Sequence, residues 1–218
     1  MPSGRRCCSV DHVFDDLKAL IDYIETVYTS ITDVWNASSD SKVNLKKTYV
    51  SDISSDSAIY AAISEYIRLL NAYSAEVSLQ LSSVCNCQVT ARVKAQNSIE
   101  FKIHNYKSAR HEFGKVPISK CFNDLFGIRI ILSPAQSFSQ IMSFVERTYS
   151  GKYKCIDSSK NDYRAVHLYF KKDNQSFQWE LQIWNDLDKD RNFISHKQYK
   201  QEYTSWEKEA KEGGIING

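Results

Sequence analysis

The sequence predicts an α+β protein: a mixed sheet of about five strands with helices against it, two long helices before it and one after. Three observations carry that prediction. Over residues 11–36 and 56–81, apolar residues recur at intervals of three and four, the period of an amphipathic helix. Beyond residue 86 several short runs alternate or are continuously apolar, and are bounded by Gly, Pro, Asn and Asp. The elements then follow the order β-α-β-α-β-β-β and end in a polar helical stretch, with no internal repeat.

Each element has its own signal. Leu17, Leu20, Ile21, Ile24, Tyr28, Ile31 and Trp35 share one face of the first helix. A polar loop follows over residues 38–47. The second helix carries Ile59, Ile63, Tyr66, Ile67, Leu70, Val77 and Leu81, with Asp56 or Ser57 as its cap. Val89, Ala91 and Val93 alternate as a strand does. Asn97–Ser98 reads as the start of a helix with Ile99, Ile103 and Tyr106, broken by Gly114 and Pro117. FGIRIIL, Phe126 to Leu132, reads as a buried strand. Ser133–Pro134 reads as the next helix start, Pro standing at the first helical position. Residues 153–156 form a short strand, and 163–170 and 176–183 a pair. From Asp186 the chain is polar and helical, with Gly213–Gly214 as its C-cap.

Composition excludes several classes. The 218 residues are 42% hydrophobic and 25% charged, a globular profile with room for one large domain. Seven Gly and three Pro leave little for long linkers. No stretch reaches the length of a membrane span, and the basic N-terminus lacks the apolar region of a secretory signal. A net charge of +2 does not by itself point to nucleic acid or membrane. Six Cys are too sparse for a disulfide scaffold. Cys85 and Cys87 have no second pair at zinc-ligand spacing, so reduced thiols in a cytoplasmic protein are the expectation.

The pair of strands at 163–183 holds the candidate site. With Asp173–Asn174 as a two-residue turn, Phe170 faces Phe177, Leu168 faces Trp179 and Val166 faces Leu181. That register makes one apolar face. On the other face Tyr169 meets Gln178, His167 meets Glu180 and Ala165 meets Gln182, with Tyr163 at the end of the row. Solvent-facing rows of this kind are common, but this one combines a Tyr, a His and a lone carboxylate. Arg92, Lys94, Lys102, Lys107, Arg110 and Arg129 cluster in patterned segments elsewhere. A carboxylate floor with a cationic rim suits a metal–polyphosphate substrate. Mg²⁺ on phosphates commonly takes one or two carboxylates, and Asp124, Asp157 and Asp162 are all candidates for the second.

Several segments also resemble a known family. ARVKAQNSIEFKI resembles G-R-V-K-x-x-x-S-I-x-x-K-I. NDLFGIRII resembles D-I-A-G-I/L-R-I/V, and KNDYRAVHLYF resembles N-G-Y-R/Q-S-x-H followed by a strand. WELQIW resembles A/V-E-I/V-Q-I-R, and HKQYKQEY loosely resembles a later helix. These motifs, in this order, resemble the synthetase domain of the RelA/SpoT family of (p)ppGpp synthetases, especially its small single-domain members. They cover residues 90–200.

The resemblance implies a fold of the nucleotidyltransferase-like synthetase type. It implies transfer of the β,γ-pyrophosphate of ATP to the ribose 3′-hydroxyl of GDP or GTP, with Mg²⁺ as cofactor. Asp124 matches the family's Mg²⁺-binding aspartate. Glu180 matches its glutamate, a second metal contact or the base that activates the hydroxyl. Arg92, Lys94, Ser98, Lys102 and Arg129 fall on the ATP side. Tyr163 matches the tyrosine that stacks on guanine, with Asn161, His167 and Gln182 beside it on the acceptor side.

The sequence departs from the pattern at four places. Asp162 replaces a Gly, Ala165 a Ser, and Trp184 and Asn185 stand where Arg and Thr are expected. These changes bear on the acceptor more than on the carboxylates. Two other readings therefore stand beside the first: a toxin-type relative acting on adenine nucleotides or the tRNA 3′ end, and an inactive member that binds nucleotides or a partner. The implied organisation is a helical region over 1–85, a synthetase core over 86–200, and a C-terminal helix end and tail over 201–218. The N-terminal helices serve either as an interface between copies of the chain or as a layer folded back on the sheet. No His and Asp spacing of a metal-dependent hydrolysis domain is visible.

Overall fold

The computed structural model describes residues 10–38 and 43–198. The two long helices are α1 (Val10–Ser38) and α2 (Ser57–Val84). Asp56 caps α2, its carboxylate accepting from the Ala58 amide at 2.9 Å. β1 (Gln88–Val93), α3 (Gln96–Tyr106), a short α4 (Ile118–Cys121) and β2 (Phe126–Leu132) follow. Then come α5 (Phe138–Tyr149), β3 (Lys154–Asp157), β4 (Val166–Phe170) and β5 (Trp179–Asn185). A last helix, α6, runs over residues 189–198. The proposed cap at Gly213–Gly214 and the tail over 201–218 lie outside the described residues. Among the described residues, no helix is long and apolar enough to cross a membrane.

Two helix starts differ from expectation. α3 begins at Gln96 with Ala95 as N-cap, so Asn97–Ser98 is inside the helix rather than before it. Ser133–Pro134 lies in the loop after β2, and α5 starts at Phe138. There Ser137 and Gln140 form a reciprocal capping box. The Ser137 hydroxyl accepts from the Gln140 amide at 3.2 Å, and the Gln140 side chain accepts from the Ser137 amide at 3.0 Å. Two satisfied amides decide the start; a proline only makes one possible.

The sheet is mixed, in the order β1-β2-β5-β4-β3, with β5 at its centre. β2 and β5 run parallel, and the other pairs are antiparallel. The apolar face carries Phe126, Ile128 and Ile130 of β2, Trp179, Leu181 and Ile183 of β5, and Val166, Leu168 and Phe170 of β4, all buried. The N-terminal helices fold back on this face. Tyr28 meets Trp179 edge-on at 5.4 Å, and Trp179 Nε1 donates to Tyr66 Oη at 2.9 Å. Trp35 closes on Tyr66 at 5.3 Å.

The β4–β5 connection corrects the predicted hairpin. Phe170 pairs with Trp179, Leu168 with Leu181 and Val166 with Ile183, two residues away from the expected register. The turn is not the dipeptide Asp173–Asn174 but the whole of residues 171–178. Asp173 Oδ1 accepts from the Gln175 amide and the Ser176 hydroxyl, both at 2.7 Å. Phe177 leaves the strand and stacks on Tyr66 at 4.6 Å. A slip of two preserves which side chains share a face, so the division of faces stands while the pairings change.

Tyr66 is wholly buried, and its hydroxyl is the partner of the buried Trp179 indole. Tyr66→Phe strands that N–H, and the chain should lose about 1–3 kcal/mol of stability. Urea unfolding checks this; an unchanged midpoint would show that the bond does not hold the helices to the sheet.

Candidate functional site

The polar face of the sheet is built from two rows of aligned residues. Arg92, Gly127, Glu180 and Tyr169 lie side by side across β1, β2, β5 and β4. Thr90, Arg129, Gln182 and His167 form the next row. Arg92, Lys94, Asp124, Arg129, Glu180 and Gln182 line one cavity of about 250 Å³ on this face. Gly127 is its floor between Arg92 and Glu180, and a Cβ built there would meet nothing within 4 Å.

Asp124 enters the cavity from the turn before β2, and its carboxylate is clasped by two lysines. Lys94 Nζ donates to Oδ2 and Lys102 Nζ to Oδ1, each at 2.8 Å. Lys94 follows β1 and Lys102 comes from α3, so three separate segments converge on one acid. Burial alone would raise the Asp124 carboxyl, but Lys102 and Lys94 overcome it and hold it well below the usual carboxylate range. Burial likewise opposes the Lys102 charge, and Asp124 reverses this, lifting it to about 12.

Glu180 is only 6% exposed and is surrounded by donors. His167 Nδ1 lies 2.9 Å from Oε1, Tyr169 Oη donates to Oε1 at 3.0 Å, and Gln182 Nε2 donates to Oε2 at 2.8 Å. Burial raises the Glu180 carboxyl and the His167 contact more than offsets it, so the group is held below its ordinary value, ionised at neutral pH. A directional chain leads to it. Trp184 Nε1 donates to Tyr163 Oη at 3.1 Å, and Tyr163 Oη meets His167 Nε2 at 2.9 Å. With Tyr163 donating, the His167 proton sits on Nδ1, facing Glu180.

The cationic wall is Arg129. Burial pulls its guanidinium down to about 10, which leaves it charged at neutral pH. The guanidinium lies over the Trp184 ring, 3.7 Å from its centroid. Trp184 is thus on the polar face with Glu180 and Gln182, as its place four residues after Glu180 requires.

The predicted residues are brought together in two shells. Arg92, Lys94, Asp124, Arg129, Glu180 and Gln182 line the cavity, and Lys102, His167 and Tyr163 back it. Ser98, in the first turn of α3, and Asn161, exposed in the β3–β4 loop, do not line it. Asn161, at φ 53, takes the left-handed turn in that loop, so Asp162 does not need the glycine conformation. Lys107 and Arg110 also stand outside the cavity. Sequence reading passed over Tyr169, because the wrong register placed it opposite Gln178. His196, which heads the HKQYKQEY segment but was given no site role, packs on Tyr163 and Trp184 at 5.4 Å from α6. The φ and rotamer signals of such contacts do not exist in a one-dimensional pattern.

Two predictions follow from this geometry. A methyl group at Gly127 has space in the fold but intrudes on the cavity. Gly127→Ala should therefore leave the unfolding midpoint within about 0.5 kcal/mol of wild type while weakening ligand binding at the cleft at least tenfold; parallel calorimetry and thermal melts check it. Because the folded Asp124 carboxyl is depressed, its ion pairs stabilise the fold in full above the unfolded value near pH ~4, and that contribution declines below it and is lost only as pH falls through the much lower folded value. Asp124→Asn should cost on the order of 2 kcal/mol at pH 7, and the difference should begin to shrink only below pH ~4 and persist in part at pH 3, where the folded carboxylate is still ionised; urea melts against pH read it, and a difference that does not shrink below pH ~4 would contradict the ion-pair account.

The geometry can now be set beside known proteins. A family model described as the region found in RelA / SpoT proteins matches residues 91–204, more than half of the chain. Among solved structures, the chain is similar to the small alarmone synthetase 1 from Bacillus subtilis at 19% identity. That similarity covers 64% of this chain and 81% of that one, with a TM-score of 0.42. The same protein bound to AMPCPP gives 19% identity, the same coverage and a TM-score of 0.39. The small alarmone synthetase 2 from Bacillus subtilis gives 18% identity over 69% of this chain and 81% of that one, with a TM-score of 0.35. No curated protein sequence matches the chain. By the match that runs from within β1 through α6 and holds both cavity carboxylates, the chain belongs to the RelA/SpoT family.

Proposed function

We propose that the chain is a (p)ppGpp synthetase: an ATP-dependent pyrophosphokinase acting on the ribose 3′-hydroxyl of GDP or GTP. The observation that carries this reading is the single cavity in which two carboxylates, Asp124 and Glu180, face Arg92, Lys94 and Arg129. Polyphosphate needs cations around its oxygens, and a hydroxyl nucleophile needs a base beside them. In the reaction the 3′-oxygen bonds to the β-phosphorus of ATP, the bond from that phosphorus to the oxygen of the α-phosphate breaks, and AMP leaves. The hydroxyl proton goes to Glu180, which is held ionised and aimed by His167, Tyr169 and Gln182.

The donor set also fits Mg²⁺. Two carboxylates on one cavity supply the hard oxygen ligands that Mg²⁺ takes alongside substrate phosphates. Asp124 and Glu180 would hold it, and when bound it would neutralise phosphate oxygens of ATP. Lys94 and Lys102, now on Asp124, are then placed to turn to those same phosphates. Tyr163 offers its ring to the guanine at the acceptor side, and residues 86–200 form the catalytic core on which the 1–85 helices pack.

Incubation with γ-labelled ATP, Mg²⁺ and separate acceptors tests the reading. Label should pass to GDP or GTP with release of AMP. Label in tRNA or in an adenine nucleotide would overturn the guanosine assignment, and no labelled acceptor at all would overturn the enzyme reading. Glu180→Gln should lower kcat by about a hundredfold or more, and Tyr163→Ala should raise KM for the guanosine acceptor with a smaller change in KM for ATP. Guanosine turnover that ignores both substitutions would remove these roles.

A further inference from the structure

The Arg129 guanidinium is held on most of its edges. Its Nε and Nη2 donate to Gln182 Oε1 at 3.3 and 3.0 Å. Nη2 also lies 3.3 Å from His196 Nε2. Burial, with Arg129 and Arg92 alongside, pulls His196 down to about 4, so the ring is neutral and its Nε2 can accept. Trp184 covers one face of the guanidinium at 3.7 Å, and Phe193 of α6 stands 5.6 Å away. A guanidinium has five N–H donors. Among the described residues only the Nη1 pair makes no hydrogen bond, and Arg129 lines the cavity.

We propose that Trp184 is a positioning residue: with Gln182 and His196 it forms a cradle that fixes Arg129 at the wall of the cleft, where it meets the bound nucleotide. The inference rests on the nucleotide reading of the cavity. Trp184 has two roles in it. Its ring face supports the cation, and its Nε1 donates to Tyr163, which in turn meets His167. One side chain thereby joins the cationic wall to the chain of hydrogen bonds that ends on Glu180. An arginine loses little freedom per bond when its plane is already fixed, so the cradle converts a flexible side chain into a preset one.

Two readouts test this. The first needs no nucleotide: the Arg129 Nε–Hε signal in a ¹H–¹⁵N spectrum, assigned by its absence in Arg129→Lys. It should be sharp and ring-shifted in wild type, retained in Trp184→Phe, and shifted and broadened in Trp184→Leu. A signal that Trp184→Leu leaves unchanged would overturn the cradle. The second is calorimetric binding of AMPCPP with Mg²⁺. Trp184→Leu should weaken it about three- to twentyfold, Trp184→Phe by less, and Trp184→Leu in an Arg129→Gln background by under twofold. Equal weakening in both backgrounds would mean that Trp184 acts only through packing, and the proposal would fall. Absence of AMPCPP binding to the wild type would overturn the nucleotide reading and the ligand named here, while the spectrum still judges the cradle.

Discussion

The structure depends on the two-sidedness of β5. A central strand is covered on both faces, and here the two faces have opposite chemistry. Trp179, Leu181 and Ile183 anchor the helices and the core. Glu180 and Gln182 line the cavity, and Trp184 lies against Arg129, its cationic wall. Every second residue serves the other purpose, so the strand cannot shift by one without burying a carboxylate in the core. The Trp179–Tyr66 bond adds a long-range check on that register.

A buried carboxylate is costly unless it is hydrogen-bonded or paired. Both acids in the cavity meet that condition in different ways. Asp124 is matched by charge, with one lysine on each oxygen. Glu180 is matched chiefly by His167, with Tyr169 and Gln182 donating beside it. The difference suits their proposed roles. An acid held by mobile ammonium groups can exchange them for another cation, whereas one held by a chain of fixed donors keeps its position while it accepts a proton.

Much of this was legible in the sequence, for identifiable reasons. The period of two in residues 163–183 fixes which side chains share a face, so Tyr163, His167, Glu180 and Gln182 were assembled correctly. It does not fix the register, because a slip of two satisfies the same pattern. What decides the slip is Phe177, whose place between the helices depends on Tyr66, more than a hundred residues earlier. That partner is invisible to local pattern, and the error moved Tyr169 away from Glu180. Asp124 could not be separated from Asp157 or Asp162 by spacing, since the lysines that single it out come from β1's end and α3. Trp184 stands out in the sequence only as a departure, where an Arg is expected, and its use as a shelf for Arg129 is a matter of three-dimensional contact.

The central claim is that Asp124, Glu180 and Arg129 converge on one bound nucleotide. A crystal structure with AMPCPP and Mn²⁺ in place of Mg²⁺ tests it most directly, because the anomalous signal marks the metal independently of the nucleotide. The account predicts a metal peak ~2.2 Å from an Asp124 oxygen, Lys94 and Lys102 turned from Asp124 to phosphate, and Arg129, still on Trp184, in contact with the nucleotide. AMPCPP bound elsewhere, or bound here with Asp124 still clasped by both lysines and no metal beside it, would contradict it.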